Sequence, residues 1–339
     1  MATLLDQQVG IVRETTWGTP VTVSRFNQHM GTGGMKLDAG IRQSEPVRVG
    51  AIGDRSALEY TSGSFASGSL EFPLLSKGFG LWLENCAGTA TSTLVSGSTY
   101  QQLFTIGRSG VVRPPFTLQE GHVRSDGTVD PYTYAGCTVS GWSIEQSTNG
   151  EVMLKVDVNG KSLATGTALA TASYASSPSL FEFDQAVVQH GGTLTVPTTT
   201  ALASMSGGTT STAVRDFTFA WDNNLDVERW NMSSGARNQP TFGKQTGTCS
   251  GEVEYDSTTW RDAYLARTSN AMLITWTTTE ALSTGTATLQ IVVPDQRVTS
   301  ASVPDFNDGS TPTFGWEAKV FDNLTQMAYV VIRTADTAL

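Results

Sequence analysis

One short segment occurs twice in this chain, and it limits what the fold can be. Ala66-Ser67-Gly68-Ser69-Leu70-Glu71-Phe72 returns as Cys249-Ser250-Gly251-Glu252-Val253-Glu254-Tyr255, a shared Ser-Gly-x-(Leu/Val)-Glu-(Phe/Tyr). Apolar and polar residues alternate in each copy, so each reads as a strand with one apolar and one polar face. Each copy leads into a helical pattern. After the first, Phe79, Trp82, Leu83 and Cys86 fall at i, i+3, i+4 and i+7, one face of a helix, and Gly88 is placed to end it. After the second, Asp256 and Ser257 are residue types that cap a helix start, and Trp260, Ala263 and Tyr264 repeat the spacing. The wider order repeats as well: strand, long polar loop, Ser-Gly strand, short Trp-bearing helix, several strands. This is an internal duplication with a period of about 180 residues, which means tandem copies of a domain and not a solenoid.

The rest of the chain agrees with an all-β protein with minor α. Short β-branched and aromatic runs stand between Gly, Asn, Asp and Ser clusters. The clearest hairpin runs from Cys137 to Asn159 through Ser147-Thr148-Asn149-Gly150, since Asn-Gly between alternating runs is a hairpin turn. Its return strand puts Val152, Leu154, Val156 and Val158 on one face. Ser/Thr/Gly-rich stretches fill 88–99 and 197–212, and the Ala/Thr/Ser-rich run at 160–179 reads as a linker or a long connection. The organisation that follows is an N-terminal arm (1–24), a first β unit (25–165), a linker (166–179) and a second β unit (180–339). Polar loops at 42–61 and 231–245 occupy corresponding places, and loops of such length in a compact domain are usually functional or disordered.

Charge and motifs exclude more than they assign. Charged residues make up 15% of the 339, and the formal net charge is −10. Residues 1–170 hold 12 Lys/Arg against 14 Asp/Glu, and residues 171–339 hold 9 against 17. No basic cluster is present to grip phosphates, so nucleic-acid binding is not expected. Cys86, Cys137 and Cys249 are too widely spaced for a metal site or a disulfide framework and read as small buried hydrophobes. The N-terminus lacks the pattern of a signal peptide, and no apolar run reaches membrane-spanning length. His29, His122 and His190 have no ligand-spaced companions, and no nucleophile elbow occurs. Gly31-Thr32-Gly33-Gly34-Met35-Lys36 fits neither phosphate-loop fingerprint and reads as a turn. Asp305-Phe306-Asn307-Asp308-Gly309 and Asp222-Asn223-Asn224-Leu225-Asp226 gather oxygen ligands, but such runs more often form Asx turns. No catalytic residue, cofactor or metal ligand is assigned. The polar faces of the repeated strands carry Ser69, Glu71, Glu252 and Glu254, either an ordinary solvated face or the lining of an enclosed acidic surface.

The order of motifs resembles the major tail tube proteins of long, non-contractile (siphovirus-like) phage tails, particularly those of actinobacterial hosts. The resemblance is carried by Glu14-Thr15-Thr16-Trp17-Gly18-Thr19-Pro20-Val21-Thr22, by Phe116-Thr117-Leu118-Gln119-Glu120-Gly121 with Tyr134-Ala135-Gly136-Cys137-Thr138-Val139-Ser140-Gly141-Trp142, and by Phe183-Asp184-Gln185-Ala186-Val187-Val188 followed by Trp221-Asp222-Asn223-Asn224-Leu225. It implies β-sandwich or half-barrel units, each with one flanking helix, that close into stacked rings around a channel for DNA ejection. Single-unit members form hexameric rings, so two fused units favour a trimer with pseudo-sixfold symmetry. Glu71, Glu252 and Glu254 would face the lumen, and the loops carrying Arg48, Asp54, Arg55, Arg237 and Lys244 would reach an adjacent ring or subunit. The implied partners are other copies of the chain, the tape measure protein, and tail terminator or distal tail proteins. DNA would pass without specific binding, no membrane would be involved, and the place would be the virion tail, assembled in the host cytoplasm. A tailocin tube, a tail terminator or a secretion-system tube is usually built from a single unit. A carbohydrate-binding or hydrolysing β-protein would need an aromatic cleft pattern that this chain lacks.

Overall fold

The computed structural model describes residues 5–50, 52–107, 113–232, 237–301, 309, 311–337 and 339. It is all-β with two short helices. The first half of the chain holds β1 (Gln8–Arg13), β2 (Arg25–Asn27), β3 (Gly33–Asp38), β4 (Ile41–Gln43), β5 (Glu59–Thr61), β6 (Phe65–Pro73), α1 (Gly80–Ala87), β7 (Gly88–Ser96), β8 (Thr99–Ile106), β9 (Phe116–Val123), β10 (Val129–Gln146), β11 (Val152–Gly160) and β12 (Ser162–Ala164). The second holds β13 (Ala186–His190), β14 (Thr193–Thr195), β15 (Ser204–Ser206), β16 (Thr209–Ser211), β17 (Val214–Asp222), β18 (Leu225–Asp226), β19 (Thr241–Phe242), β20 (Thr246–Glu254), α2 (Thr259–Ala266), β21 (Asn270–Ala281), β22 (Thr286–Ala301), β23 (Thr313–Val320) and β24 (Ala328–Thr334).

The repeated segments are β6 and β20, and the pairing around them repeats too. In the first half β3 pairs with β6, β6 with β11, and β11 with the C-terminal part of β10. In the second, β17 pairs with β20, β20 with β23, and β23 with the C-terminal part of β22. The long strands β10 and β22 then cross into a second layer, each through a bulge, which re-aims a strand without ending it. In that layer β10 meets β9 and β12 while β22 meets β21 and β24. The series continues with β1 and β2 against β9, and with β13 and β16 against β21. Gln8–Arg13, read from sequence as part of a terminal arm, is thus an outer-layer strand.

Glycine at the second motif position has one cause in both copies. A Cβ on Gly68 would run into the carbonyl oxygen of Gly34 on β3, and a Cβ on Gly251 into that of Asp216 on β17. The two strands approach too closely there for any side chain.

The core lies between the layers. Leu70, Phe72, Leu154, Val156, Ile144, Phe219 and Trp316 point into it from the first layer, and Leu118, Ile274 and Ile291 from the second. Helix α1 closes the first half. All four residues of its expected face are buried, and Gly88 ends it with φ +103°. Trp82 packs on Phe72 and Phe116 and donates its indole N–H to Asn27 Oδ1 at 3.1 Å. Helix α2 is attached by less: Trp260, stacked 4.2 Å from Trp316, is its one buried residue.

One stretch carries strands that the sequence reading does not assign. The Thr/Ser/Gly stretch at 88–99 is not a loop. It is β7 and the start of β8, and β8 pairs over seven residues with β24 of the other half. Asn149, by contrast, makes the expected left-handed turn between β10 and β11, with φ +56°.

Candidate functional site: one sheet across both halves

The C-terminal part of β10 has two neighbours. It pairs with β11 on one side and on the other with β17 of the second half, from Gly141↔Asp222 to Gln146↔Phe217. The two first-layer sheets therefore join edge to edge into one antiparallel sheet in the order β3-β6-β11-β10-β17-β20-β23-β22. The ladders form a branching series that never returns on itself, so no closed barrel forms among the described residues. The joint is well packed. Trp142 lies 5.4 Å from Phe219, and Trp276 donates to Gln146 Oε1 at 3.0 Å. The sheet has two ends. Among the described residues β3 pairs only with β6, and the C-terminal part of β22 only with β23.

The face opposite the core is polar. Glu71, Glu252 and Glu254 all lie on it, because the alternation that buries Leu70, Phe72 and Val253 turns the residues between them the other way. Asp38, Glu145, Asp157, Asp216, Asp222 and Glu317 share that face, against Lys36, Lys155, Arg215, Arg297 and Lys319. The sign is acidic, but part of it is locally neutralised. Lys155 Nζ sits 2.8 Å from Glu145 and 3.7 Å from Glu71, and the Glu145 hydrogen bond raises the lysine pKa above its ordinary value. Arg215 lies 2.8 Å from Glu254. Among the described residues no such cation reaches Glu252; its backbone N–H donates to Asp216 Oδ1 at 2.8 Å. A shallow hollow spans the joint on this face, lined by Ser69, Ser143, Lys155, Asp157, Ala220 and Thr248.

The five loop residues fall into two groups. Arg48, Asp54 and Arg55 are exposed on an arm that leaves the sheet through the β4–β5 hairpin. The corresponding arm of the second half leaves through β18–β19. There Lys244 is exposed, but Arg237 is buried, with its guanidinium 4.4 Å from the Phe65 ring and 5.5 Å from the Trp230 ring. Burial lowers its pKa, because the charged form loses water. Arg237 therefore anchors its arm on the first half of its own chain and does not reach outward.

No group of three or more His, Cys, Asp or Glu is placed to hold a metal ion among the described residues. The Asp222 carboxylate accepts the Asn224 N–H at 2.7 Å, an Asx turn. Asp305, Asn307 and Asp308 lie outside the described residues. The cysteines are buried thiols whose pKa values burial pushes up. No helix among the described residues is long and apolar enough to cross a membrane.

The family model described as phage tail tube protein matches residues 5–320. The chain belongs to the phage tail tube protein family. No curated protein matches it. Membership gives a structural role in the virion tail and self-assembly into a tube. The sheet ends, β3 and the C-terminal part of β22, are a feature that sequence reasoning missed. Alternation marks which face of a strand is buried, but it does not tell which strand stands last in a sheet.

Proposed function

We propose that this chain is the major subunit of its tail tube, built from two tandem units, β1–β12 and β13–β24, and that three copies close a ring of six repeats. The observation that carries this reading is the β10–β17 joint. It links two sheets of identical pairing order edge to edge and leaves an unpaired edge at each end. Unpaired edges recruit further strands, and closing the sheet across copies removes them. Counterparts of β17 and β10 stand at the open ends, since β3 corresponds to β17 and β22 to β10. One copy's β3 therefore meets another copy's β22, and repetition of that step generates a ring.

In such a ring the polar face lines the channel. Its excess of carboxylates, Glu71, Glu252 and Glu254 among them, repels a polyanion and lets DNA leave the capsid without sticking. Stacked rings form the tube, with the tape measure protein inside during assembly in the host cytoplasm and terminator and distal tail proteins at its ends. The motif order shared with tubes of long, non-contractile tails of actinobacterial phages supports a tail of that kind. Purified protein imaged by cryo-electron microscopy tests the reading. Rings or tubes with three chains per ring and six density lobes are expected. Six chains per ring, or monodisperse monomers under every condition, would overturn it.

A further inference from the structure

We propose that the outer face of the second layer is a peptide-binding surface with two seats, that each seat reads an extended Thr-Ala-Leu-Ala segment, and that the segment on the second seat exchanges with a separate peptide of the same kind. Neither seat lies at a sheet end, so the surface stands whether or not copies form a ring.

Thr-Ala-Leu-Ala occurs at residues 167–170 and again at 200–203. Both copies lie on the second layer, on the face turned away from the main core. In the first half Gln119 on β9 faces Thr133 on β10 and donates to its hydroxyl at 2.9 Å. The same amide donates to Ala168 O at 3.1 Å and accepts the Ala170 N–H at 2.8 Å. In the second half Gln290 on β22 faces Thr275 on β21 and donates to its hydroxyl at 3.1 Å. Its amide donates to Ala203 O at 3.1 Å and accepts the Ala203 N–H at 2.8 Å. Corresponding strand pairs therefore carry one device. A buried glutamine, held by a threonine across the ladder, offers a donor and an acceptor to an extended backbone, as a neighbouring strand would. The bonds straddle Leu169 in the first seat and hold the residue after Leu202 in the second.

The leucine supplies the apolar part of each contact. Leu169 covers Gly121 on β9, where a Cβ would lie 3.1 Å from its Cδ1. Leu202 packs, with Leu194 and Met205, on a patch of Leu103, Leu273, Val292, Tyr329 and Val331 that is separate from the main core. Gln101 on β8 donates to Thr198 O at 2.6 Å and Ala201 O at 3.0 Å, and Arg333 on β24 donates to Thr200 O at 2.9 Å. Each of these bonds meets backbone, and residues 193–206 carry no charged side chain. The ligand class is therefore an uncharged, extended peptide with one leucine between small residues.

The two segments differ in their tethers. The first continues into a run fixed at further points, where Lys77 Nζ donates to Ser176 O at 3.3 Å and Ser177 O at 3.2 Å and Tyr174 meets Phe26 edge-on. Residues 193–206 instead form a strap that pairs with itself through β14 and β15 and departs through a glycine stem. Gly191 and Gly207 have φ of +70° and +68°. Gly192 and Gly208 approach so closely that a Cβ on the first would lie 2.5 Å from the nitrogen of the second. His190 and Thr209 pair just below the stem. The strap can leave its seat without disturbing β13 or β16. A vacated seat leaves the amides of Gln101 and Gln290 short of partners, a cost that a second backbone relieves.

Peptide exchange tests the surface. Deletion of residues 193–206 joins Gly192 to Gly207 and leaves a glycine turn between His190 and Thr209. The probe is a fluorescein-labelled peptide of residues 198–206, Thr-Thr-Thr-Ala-Leu-Ala-Ser-Met-Ser. Fluorescence anisotropy is expected to show saturable binding to the deletion protein and none at the same concentrations to the intact chain, whose seat is filled. Leu202→Asp in the peptide, or Gln290→Ala in the protein, is expected to weaken binding by about tenfold or more. A deletion protein with an unchanged circular dichroism spectrum that ignores the peptide, or that binds a scrambled peptide equally well, overturns the proposal. Should the deletion prevent folding, the full chain decides, with a protease site placed at each glycine pair and cut after folding. Replacement of the cut strap by the labelled peptide supports the exchange. A cut strap that falls away on gel filtration without peptide, or that stays under prolonged excess of peptide, overturns it.

Discussion

At the scale of single residues, burial controls the chemistry that this chain retains. His190 ends β13 under Trp260, with ring centroids 4.6 Å apart. It is buried, and burial lowers its pKa because the imidazolium loses water. The direction sets a pH dependence. A histidine whose folded pKa lies below its unfolded value binds protons more readily once unfolded. Its contribution is therefore fully present above the ordinary histidine pKa near 6.5 and is lost as pH falls through the lower folded value. Burial and the neighbouring His122 lower His29 in the same direction. Urea midpoints measured at pH 7.5 and pH 5 are expected to fall on acidification, and to fall less in His190→Phe, which keeps an aromatic ring on Trp260. An equal fall in both proteins would remove His190 from the account.

At the scale of elements, the Ser-Gly strands show how local sequence and long-range packing meet. Alternation alone identifies β6 and β20 as strands. The glycine within each is explained only by the strand beside it, whose carbonyl occupies the space of a Cβ. Gly68→Val and Gly251→Val force β3 or β17 away and are expected to destabilise the fold by about 1–3 kcal/mol or more, the usual cost of overpacking. Ser67→Val, on the opposite face of the same strand, is expected to be nearly neutral, and chemical denaturation of the three variants makes the comparison. The β7–β8 hairpin teaches the reverse lesson. Its Thr, Ser and Gly content resembles a connection, yet β7 pairs with β8 and β8 with β24. Thr is a good strand residue when a partner strand is present, and here the partner lies more than 220 residues away in the chain.

At the scale of the whole molecule, that hairpin ties the two halves of the chain together. No such hairpin follows the helix of the second half, since α2 runs to β21 through residues 267–269 alone. The joint between the halves is thus braced in both layers, by β10–β17 in one and β8–β24 in the other. Residues 179–339 expressed alone would leave β24 unpaired on the side that β8 covers, and the buried Val330 and Val331 would lose cover. Aggregation is expected for that piece, with a soluble complex restored by co-expression with residues 1–178. A monodisperse, well-folded 179–339 fragment would show that the brace is dispensable.

The sequence by itself determined the all-β class, the Trp-bearing helices and the Asn149-Gly150 hairpin, because each depends on contacts within a few residues of one another. It also placed Glu71, Glu252 and Glu254 on polar strand faces, and the β6 and β20 registers put those faces on one sheet. Only the tertiary structure decided that the sheet is continuous across both halves, that its ends are β3 and β22, that Arg237 is buried against the first half of its own chain while Arg48, Asp54 and Arg55 stay exposed, and that residues 88–96 form a strand. The physical reason is the same in each case. Side-chain periodicity records which way a residue faces, whereas strand neighbours and sheet ends depend on which distant segments meet, and that is settled by packing over the whole chain.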